Sequence, residues 1–156
     1  MATNFKIDQL DRRILSMLIK NARVPFVEIG RVCKVSGAAI HQRVQQLVDA
    51  KIIRGSQFNL SPKALGYHTC AFIGIQLNLI TRTSHDEAFA KLMKIPEIVE
   101  CHHISGKYSL LVKVYTKDNE QLKQLIIEKI QSIPEVTFTE TYVSLEEGFE
   151  RQVSAE

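Results

Sequence analysis

Hydrogen-bonding side chains recur at helical spacing in the segment that follows Ser36. His41, Gln42 and Gln45 are separated by one and three positions, and Ala38 lies three positions before His41. Residues three or four apart share one face of an α-helix, so these side chains would form a single polar, nearly uncharged surface. A glutamine amide can bond bidentately to the edge of an adenine, and an alanine methyl can contact a thymine methyl. This surface therefore suits recognition of DNA bases.

Three predicted helices would position this surface. Asp8 is an acidic N-cap before an apolar stripe, Pro25 opens a second helix, and Ser36 is a favourable N-cap for a third. Gly30, inside the second helix, would let a neighbouring segment approach closely. The third helix has three inward apolar residues, Ile40, Val44 and Leu47. This order is typical of a helix-turn-helix, whose second helix enters the major groove.

Basic residues around the third helix are candidates for contacts to DNA phosphates. The predicted DNA-contacting residues are Lys34, Ser36, Ala38, His41, Gln42, Arg43, Gln45, Lys51 and Arg54. A solvated helix face is the alternative interpretation, but the charge distribution favours DNA. The first sixty residues contain ten Lys and Arg against four Asp and Glu, whereas the remainder contains ten against thirteen, within a net charge of +3.

Composition favours a cytoplasmic protein. Cys33, Cys70 and Cys101 are an odd number of widely spaced cysteines, which is typical of reduced thiols. No apolar run approaches the ~20 residues of a membrane span, and the first ten residues lack the apolar core of a signal peptide. The length of 156 residues fits one domain or two small ones.

A domain boundary is predicted near residue 62. Residues 54–56 resemble a turn and residues 57–60 a strand, which together would form a small wing, and residues 61–66 then break regular structure. We expect a winged helix-turn-helix domain at 1–62, a linker at 63–68 and a second domain at 69–156.

The second domain contains an internal repeat. A predicted strand at residues 69–79 opens the order βαββαβ, and the phrase Ile95-Pro96-Glu97 recurs 38 residues later as Ile133-Pro134-Glu135. The order predicts an α+β, ferredoxin-like domain with a four-stranded antiparallel sheet and both helices on one face. Apolar residues point to both faces, so a second copy is expected to cover the free face. A homodimer would also place two third helices about one DNA turn apart.

With both domains in place, the chain resembles the Lrp/AsnC (feast/famine) family of transcription regulators over nearly its whole length. The similar phrases are Ile7-Asp8, Asn21-Ala22-Arg23, Val35-Ser36, Arg43-Val44, Ile52-Ile53, Leu65-Gly66, Ile95-Pro96-Glu97-Ile98-Val99, Ser105-Gly106-Lys107-Tyr108 and Ile133-Pro134-Glu135-Val136. The resemblance implies a winged helix-turn-helix joined to an amino-acid-sensing domain (the RAM domain), and dimers that assemble further, often into octamers. We expect no cofactor. The resemblance also implies effector binding at a subunit interface near Ser105, Gly106, Lys107, Tyr108 and Ser109.

Three positions depart from the family pattern. Lys34 and Lys51 stand where the family usually has glycine, and a left-handed backbone there would cost about 1–2 kcal/mol each. Ser109 stands where the family has an acidic residue that meets a ligand amine. Serine can hydrogen-bond an ammonium group but cannot neutralise it. A weakly bound effector, an effector other than a plain α-amino acid, and no effector therefore stay open.

Other chemistries have weaker support in the sequence. Cys101 and His103 would share one face of a strand, but two ligands are too few for a closed zinc site, so we expect no metal.

A sirohaem-decarboxylase-like enzyme of the same architecture is an alternative to a regulator, with His68, His102 and His103 facing the haem. The sequence shows no arranged nucleophile or paired carboxylates, so we expect no enzyme. A nucleoid-organising protein with little sequence preference is a further alternative.

Overall fold

The computed structural model describes residues 5–78 and 82–155, which divide into two compact units. The first unit comprises Met1–Asn59 with Phe149–Glu156, and the second comprises Leu60–Gly148. No helix in the described ranges is both long and apolar enough to cross a membrane.

The first unit is built on three α-helices: α1, Gln9–Lys20; α2, Phe26–Cys33; and α3, Gly37–Asp49. Ile14, Ile29 and Ile40 come one from each helix, are fully buried and form the centre of a small core. Asp8 caps α1 in a capping box: its side chain accepts a hydrogen bond from the Asp11 amide, and the Asp11 side chain accepts one from the Asp8 amide. The predicted helix-turn-helix is confirmed.

The strand predicted at residues 57–60 was wrong. Residues 54–61 form neither helix nor strand, because no other strand within the described residues pairs with them, and an isolated strand lacks ladder hydrogen bonds. A local contact nevertheless fixes part of this segment. The guanidinium carbon of Arg23 lies 4.3 Å from the centroid of the Phe58 ring, a cation–π geometry.

The second unit has the predicted βαββαβ order. Its elements are β1, Thr69–Leu77; α4, Arg82–Leu92; β2, Ile98–His103; β3, Leu110–Thr116; α5, Asn119–Gln124; and β4, Val136–Val143. A π-helical segment, Leu125–Ile130, continues α5, and a short 3₁₀ turn, Lys63–Leu65, precedes β1. The strands form one antiparallel sheet in the order β2-β3-β1-β4. The ferredoxin-like fold is confirmed, although β1 ends at Leu77 and the predicted strand end at residue 79 lies outside the described residues.

The two faces of the sheet differ in burial. Along β1, Ala71, Ile73 and Ile75 are fully buried against the helices, whereas Phe72 and Gln76 lie on the other face and are exposed. We call this second face the open face. Its aromatic residues Phe72, Phe138 and Tyr142 are 37%, 47% and 51% exposed, which is unusual for large apolar side chains on one contiguous surface.

Candidate nucleic-acid interface and effector turn

The predicted polar surface of α3 is present. Ala38, His41, Gln42 and Gln45 are all exposed, whereas Ile40 on the opposite side is completely buried. We call these four exposed residues the recognition face. Leu47 is also fully buried and Val44 half-buried, so burial follows the helical period that the sequence indicated.

The turn between α2 and α3 is tight enough to require a glycine. A methyl group added at Gly30 would lie 2.6 Å from the carbonyl oxygen of Val35 and 3.2 Å from the amide nitrogen of Gly37. Both atoms are backbone, so neither can yield without moving the turn. Ser36 caps α3 as predicted, because its Oγ accepts a hydrogen bond from the Ala39 amide at 3.1 Å. Together these contacts fix the direction in which α3 leaves the turn.

Both lysines that replace the usual glycines have a left-handed backbone. Lys34 ends α2 with φ 58° and ψ 40°, and Lys51 follows α3 with φ 60°. These are the non-glycine residues with positive φ in the described part of the chain. Each lysine is exposed. The chain therefore accepts backbone strain at two positions where it gains a positive charge.

Arg43 has partners that the sequence did not reveal. Its Nη1 lies 2.8 Å from Asp8 Oδ2 and 3.2 Å from Asp11 Oδ1, and the Asp11 side chain is completely buried. A hydrogen bond from the Asp11 amide and the nearby Arg43 charge lower the pKa of Asp8. Arg43 thus ties α3 to the capped start of α1, and this structural bond occupies the group that we had expected to meet a phosphate.

Two members of the recognition face have contacts within the chain. Gln45 Nε2 donates a hydrogen bond to Asp49 Oδ1 at 3.0 Å, and the His41 ring meets the Phe26 ring edge-on with centroids 5.8 Å apart. Gln42 instead lines an open groove of about 440 Å³, together with Leu10, Ala39, Arg43 and Gln46. Exposed Gln46 was not among the predicted residues, although the helical period places it one turn beyond Gln42.

The predicted effector turn lies between β2 and β3. Gly106 has φ 124°, which side chains rarely tolerate. Tyr108 packs against β1: a methyl group added at Gly74 would lie 2.5 Å from Cδ2 of the Tyr108 ring. The Tyr108 hydroxyl is buried and has no hydrogen-bond partner among the residues that the structure describes. Gly74 thus makes room for an aromatic ring on the open face.

Ser109 takes part in the hydrogen bonding of the sheet. Its amide donates to the Ile75 carbonyl at 2.9 Å, and its Oγ accepts from the Leu77 amide at 3.3 Å. The β1–β4 register shifts between Gln76 and Leu77, so the serine hydroxyl satisfies an amide at an irregular point of β1. Ser109 therefore has a structural role in the sheet. It supplies no carboxylate that could pair with the amine of an effector.

A charged pair lies next to the turn on the open face. Lys107 Nζ lies 2.6 Å from Glu140 Oε2 on β4, and 5.0 Å and 5.5 Å from the ring centroids of Tyr108 and Phe138. Hydrogen bonds from Lys107 and Tyr142 lower the pKa of Glu140, and the bond to Glu140 raises the pKa of Lys107. Sequence reasoning missed Glu140, since nothing in the pattern of β4 links it to a turn 33 residues away.

The residues considered for metal binding have other neighbours. The His103 ring stacks on His85 with centroids 4.4 Å apart and lies 5.4 Å from the Phe89 ring. Burial raises the pKa of the Cys101 thiol, which opposes formation of a metal-binding thiolate. Within the described residues, no three His, Cys, Asp or Glu side chains are placed to hold one metal ion.

Known protein families and structures match this architecture along the chain. Residues 7–48 match the AsnC-type helix-turn-helix domain, and residues 70–153 match the Lrp/AsnC ligand binding domain. Regulatory protein AsnC of Escherichia coli (strain K12) is 38% identical over 150 residues, which cover 96% of this chain and 97% of AsnC. The transcriptional regulator FL11 of Pyrococcus furiosus is 33% identical, with 89% of each chain covered.

Solved structures agree with the fold. The structure of E. coli AsnC superposes with a TM-score of 0.89 at 37% identity, covering 96% of this chain and 99% of that one. A transcriptional regulator from Neisseria meningitidis in complex with L-Met superposes with a TM-score of 0.87 at 24% identity, with 94% of each chain covered.

Proposed function

The chain belongs to the Lrp/AsnC family of transcriptional regulators, and we propose that it reads operator DNA through the recognition face of α3. The observation that carries this proposal is the exposed row of Ala38, His41, Gln42 and Gln45 on a capped helix. Glutamine bonds adenine edges bidentately, and the alanine methyl contacts thymine. With its DNA-binding helix-turn-helix and its ligand-binding domain, the protein is a DNA-binding transcriptional regulator.

Phosphate contacts are assigned to three exposed basic residues and one serine near the two ends of α3. Lys34 and Lys51 are exposed and strained, Arg54 is exposed in the irregular segment beyond, and Ser36 lies at the helix N-terminus, where anions are favoured. Arg43 has a different role in this proposal. Because its guanidinium is bound to Asp8 and Asp11, it orients α3 rather than contacting DNA directly.

We further propose that two copies pair through the open face. Phe72, Phe138 and Tyr142 would otherwise remain in water, and a second sheet would bury them by a two-fold, self-complementary contact. Such a dimer would present two α3 helices to successive major grooves. Further assembly, up to an octamer, is part of the same proposal. Size-exclusion chromatography with light scattering measures both steps.

A small-molecule effector completes the proposal. The C-terminal domain matches a ligand-binding family, and the N. meningitidis regulator of the same fold was solved with L-Met. We propose that the effector is an amino acid or a related molecule. It would bind at a subunit interface near Ser105, Gly106, Lys107, Tyr108 and Ser109. No cofactor is assigned. A cytoplasmic location is part of the same proposal, because the relatives are regulators of bacteria and archaea, whose DNA lies in the cytoplasm.

A fluorescence-anisotropy titration tests the DNA-binding proposal. The probe is the DNA upstream of the protein's own gene, with a scrambled duplex of equal length as control, at two salt concentrations. Tighter binding to the upstream DNA that weakens steeply with salt is expected. Equal binding to both duplexes would indicate a nucleoid-organising protein instead. Absence of binding would redirect attention to the sirohaem enzyme, for which a Soret shift on adding a tetrapyrrole is the test.

A further inference from the structure

An acidic residue at the end of α3 is unfavourable both for the helix and for bound DNA. Asp49 is the last residue of α3, and the last turn of this fully described helix contains no basic residue. A negative charge at this end of a helix meets the negative end of the helix dipole. The Asp49 side chain is also exposed, one turn beyond Gln45 of the recognition face, where it would repel the phosphates of DNA. Any benefit from Asp49 must therefore come from its side-chain contact.

That contact is with a member of the recognition face. Gln45 Nε2 donates a hydrogen bond to Asp49 Oδ1 at 3.0 Å, across one turn of the helix. A side-chain amide has a donor end and an acceptor end, whereas an ionised carboxylate can only accept. Turning the Gln45 amide round would place its carbonyl oxygen against the carboxylate, where two acceptors repel each other. The charge-assisted bond therefore determines which end of the amide faces Asp49.

An amide held in one orientation distinguishes two classes of base. With its nitrogen bound to Asp49, Gln45 has its acceptor, Oε1, available for a base edge. In the major groove, adenine and cytosine offer an exocyclic amino group, whereas guanine and thymine offer a carbonyl oxygen. Oε1 accepts a hydrogen bond from the amino group and repels the carbonyl oxygen. The second amide hydrogen can also bond adenine N7, so the amide can still bond adenine at two points.

We propose that Asp49 is a positioning residue that orients the Gln45 amide, so that Gln45 selects a base with an amino group, adenine or cytosine. The inference rests on the DNA-reading role proposed for the recognition face and names the class of base that one of its residues takes. Asp49 itself does not contact DNA. Without Asp49 the amide can turn round and donate to a carbonyl oxygen, so selectivity at this base position is lost while repulsion of the phosphates decreases.

The test measures base preference by fluorescence anisotropy. The probe is the segment of DNA upstream of the protein's own gene that footprinting delimits, and competitor duplexes carry each of the four base pairs at each protected position. Gln45→Ala identifies the position that Gln45 reads, because discrimination is lost there. At that position the wild type is expected to bind its preferred base pair roughly fivefold to tenfold more tightly than the same pair reversed, the equivalent of one hydrogen bond.

Base analogues identify the group that Gln45 contacts. Purine in place of adenine, or 2-pyrimidinone in place of cytosine, lacks only the exocyclic amino group. We expect the analogue to weaken binding of the wild type by a similar factor and to have less effect on Gln45→Ala, which has no acceptor to lose a partner. Equal binding of the parent duplex and the analogue by the wild type would overturn the assignment of an amino group to Gln45.

Variants of Asp49 test the positioning role. Asp49→Ala is expected to bind all duplexes more tightly, the scrambled one included, because one charge facing the phosphates is gone, and to discriminate little at the Gln45 position. Gln45→Glu combined with Asp49→Ala should restore discrimination, because a carboxylate accepts in either orientation and the net charge equals that of the wild type. Glu28→Gln, which removes an exposed carboxylate from α2, is the control and should keep the wild-type preference.

The remaining outcomes distinguish this inference from the function on which it rests. If Asp49→Ala discriminates as the wild type does, the positioning role is overturned and the recognition face stands. If Asp49→Ala loses discrimination at a position that Gln45 does not read, Asp49 contacts a base itself, which also overturns the positioning role. If the wild type binds the upstream and scrambled duplexes equally, the reading of operator DNA fails, and the present inference fails with it.

Discussion

The guanidinium of Arg43 on α3 reaches the fully buried carboxylate of Asp11 on α1, with Nη1 3.2 Å from Oδ1. Asp11 also accepts the Asp8 amide, so one residue takes part both in the cap of α1 and in the anchor of α3. The positive charge of Arg43 on α3 therefore stabilises the three-helix unit that contains α3.

Arg43→Ala is expected to lower the free energy of unfolding by about 1–3 kcal/mol, because it leaves a buried carboxylate without its strongest donor. DNA affinity falls as a consequence, without a change in base preference. Urea denaturation followed by circular dichroism measures the stability, and Arg13→Ala, which removes an exposed charge from α1, is the control. Unchanged stability in Arg43→Ala would contradict the anchoring role and favour a direct contact between Arg43 and DNA.

Lys34→Gly is expected to raise the free energy of unfolding by about 1–2 kcal/mol, since glycine removes the penalty of the left-handed backbone. The same change should weaken DNA binding and reduce the salt dependence by about one phosphate contact. Lys34→Ala separates the two effects: it loses the charge but keeps the strain, so only its DNA affinity falls. A Lys34→Gly protein that binds DNA as tightly as the wild type would remove Lys34 from the phosphate contacts.

The sequence predicted features that depend on local rules. The caps at Asp8 and Ser36 and the period of α3 follow from neighbouring residues, and the structure confirms them. The left-handed backbone at Lys34 and Lys51 was suggested only by the family resemblance, which has glycine there, and the structure shows it. Two features escaped because they depend on distant residues. Arg43 finds its partner 32 positions earlier, and the predicted wing strand lacks a partner strand in the described chain.

The internal repeat shows the same limit. The two Ile-Pro-Glu phrases were visible in the sequence, and each glutamate follows a helix lysine by six positions. The ion pairs, however, are exchanged between the halves: Lys91 bonds Glu135 at 2.9 Å and Lys129 bonds Glu97 at 2.6 Å. The repeated phrase reveals that the two halves of the second domain are alike. The order of the strands in the sheet determines that each glutamate pairs with the lysine of the other half.

Gln42→Ala is expected to reduce discrimination at one or two base positions of the operator by about 1–3 kcal/mol each, because the amide would no longer bond the base edge. Binding to a panel of single-base operator variants measures the change. Gln124→Ala, on an exposed position of α5, should leave the preferences intact. If Gln42→Ala discriminates among the panel as the wild type does, Gln42 does not read bases.

Gly74→Ala is expected to displace the Tyr108 ring, because the new methyl group would lie 2.5 Å from it. Overpacking of this kind costs about 1–3 kcal/mol, and moving Tyr108 also disturbs the effector turn. We expect lower stability and weaker amino-acid binding, measured by thermal melting and calorimetry. Gly148→Ala is the control, since nothing lies within 4 Å of its added methyl group. Unaltered effector binding in Gly74→Ala would separate Tyr108 from the site.

Asp8→Asn tests the electrostatic part of the α1–α3 anchor through its pH dependence. Asparagine keeps an oxygen for the N-cap but loses the charge that faces Arg43. The hydrogen bond from the Asp11 amide lowers the pKa of folded Asp8 below the ordinary value of 3.8. The unfolded chain therefore binds the proton first as the pH falls. The stabilisation from the charge is complete above pH 3.8 and disappears as the pH falls through the folded pKa.

The wild type should have a higher free energy of unfolding than Asp8→Asn at neutral pH, and the two values should converge in acid. A constant difference between the two proteins at every pH would mean that the Asp8 charge contributes nothing to the anchor.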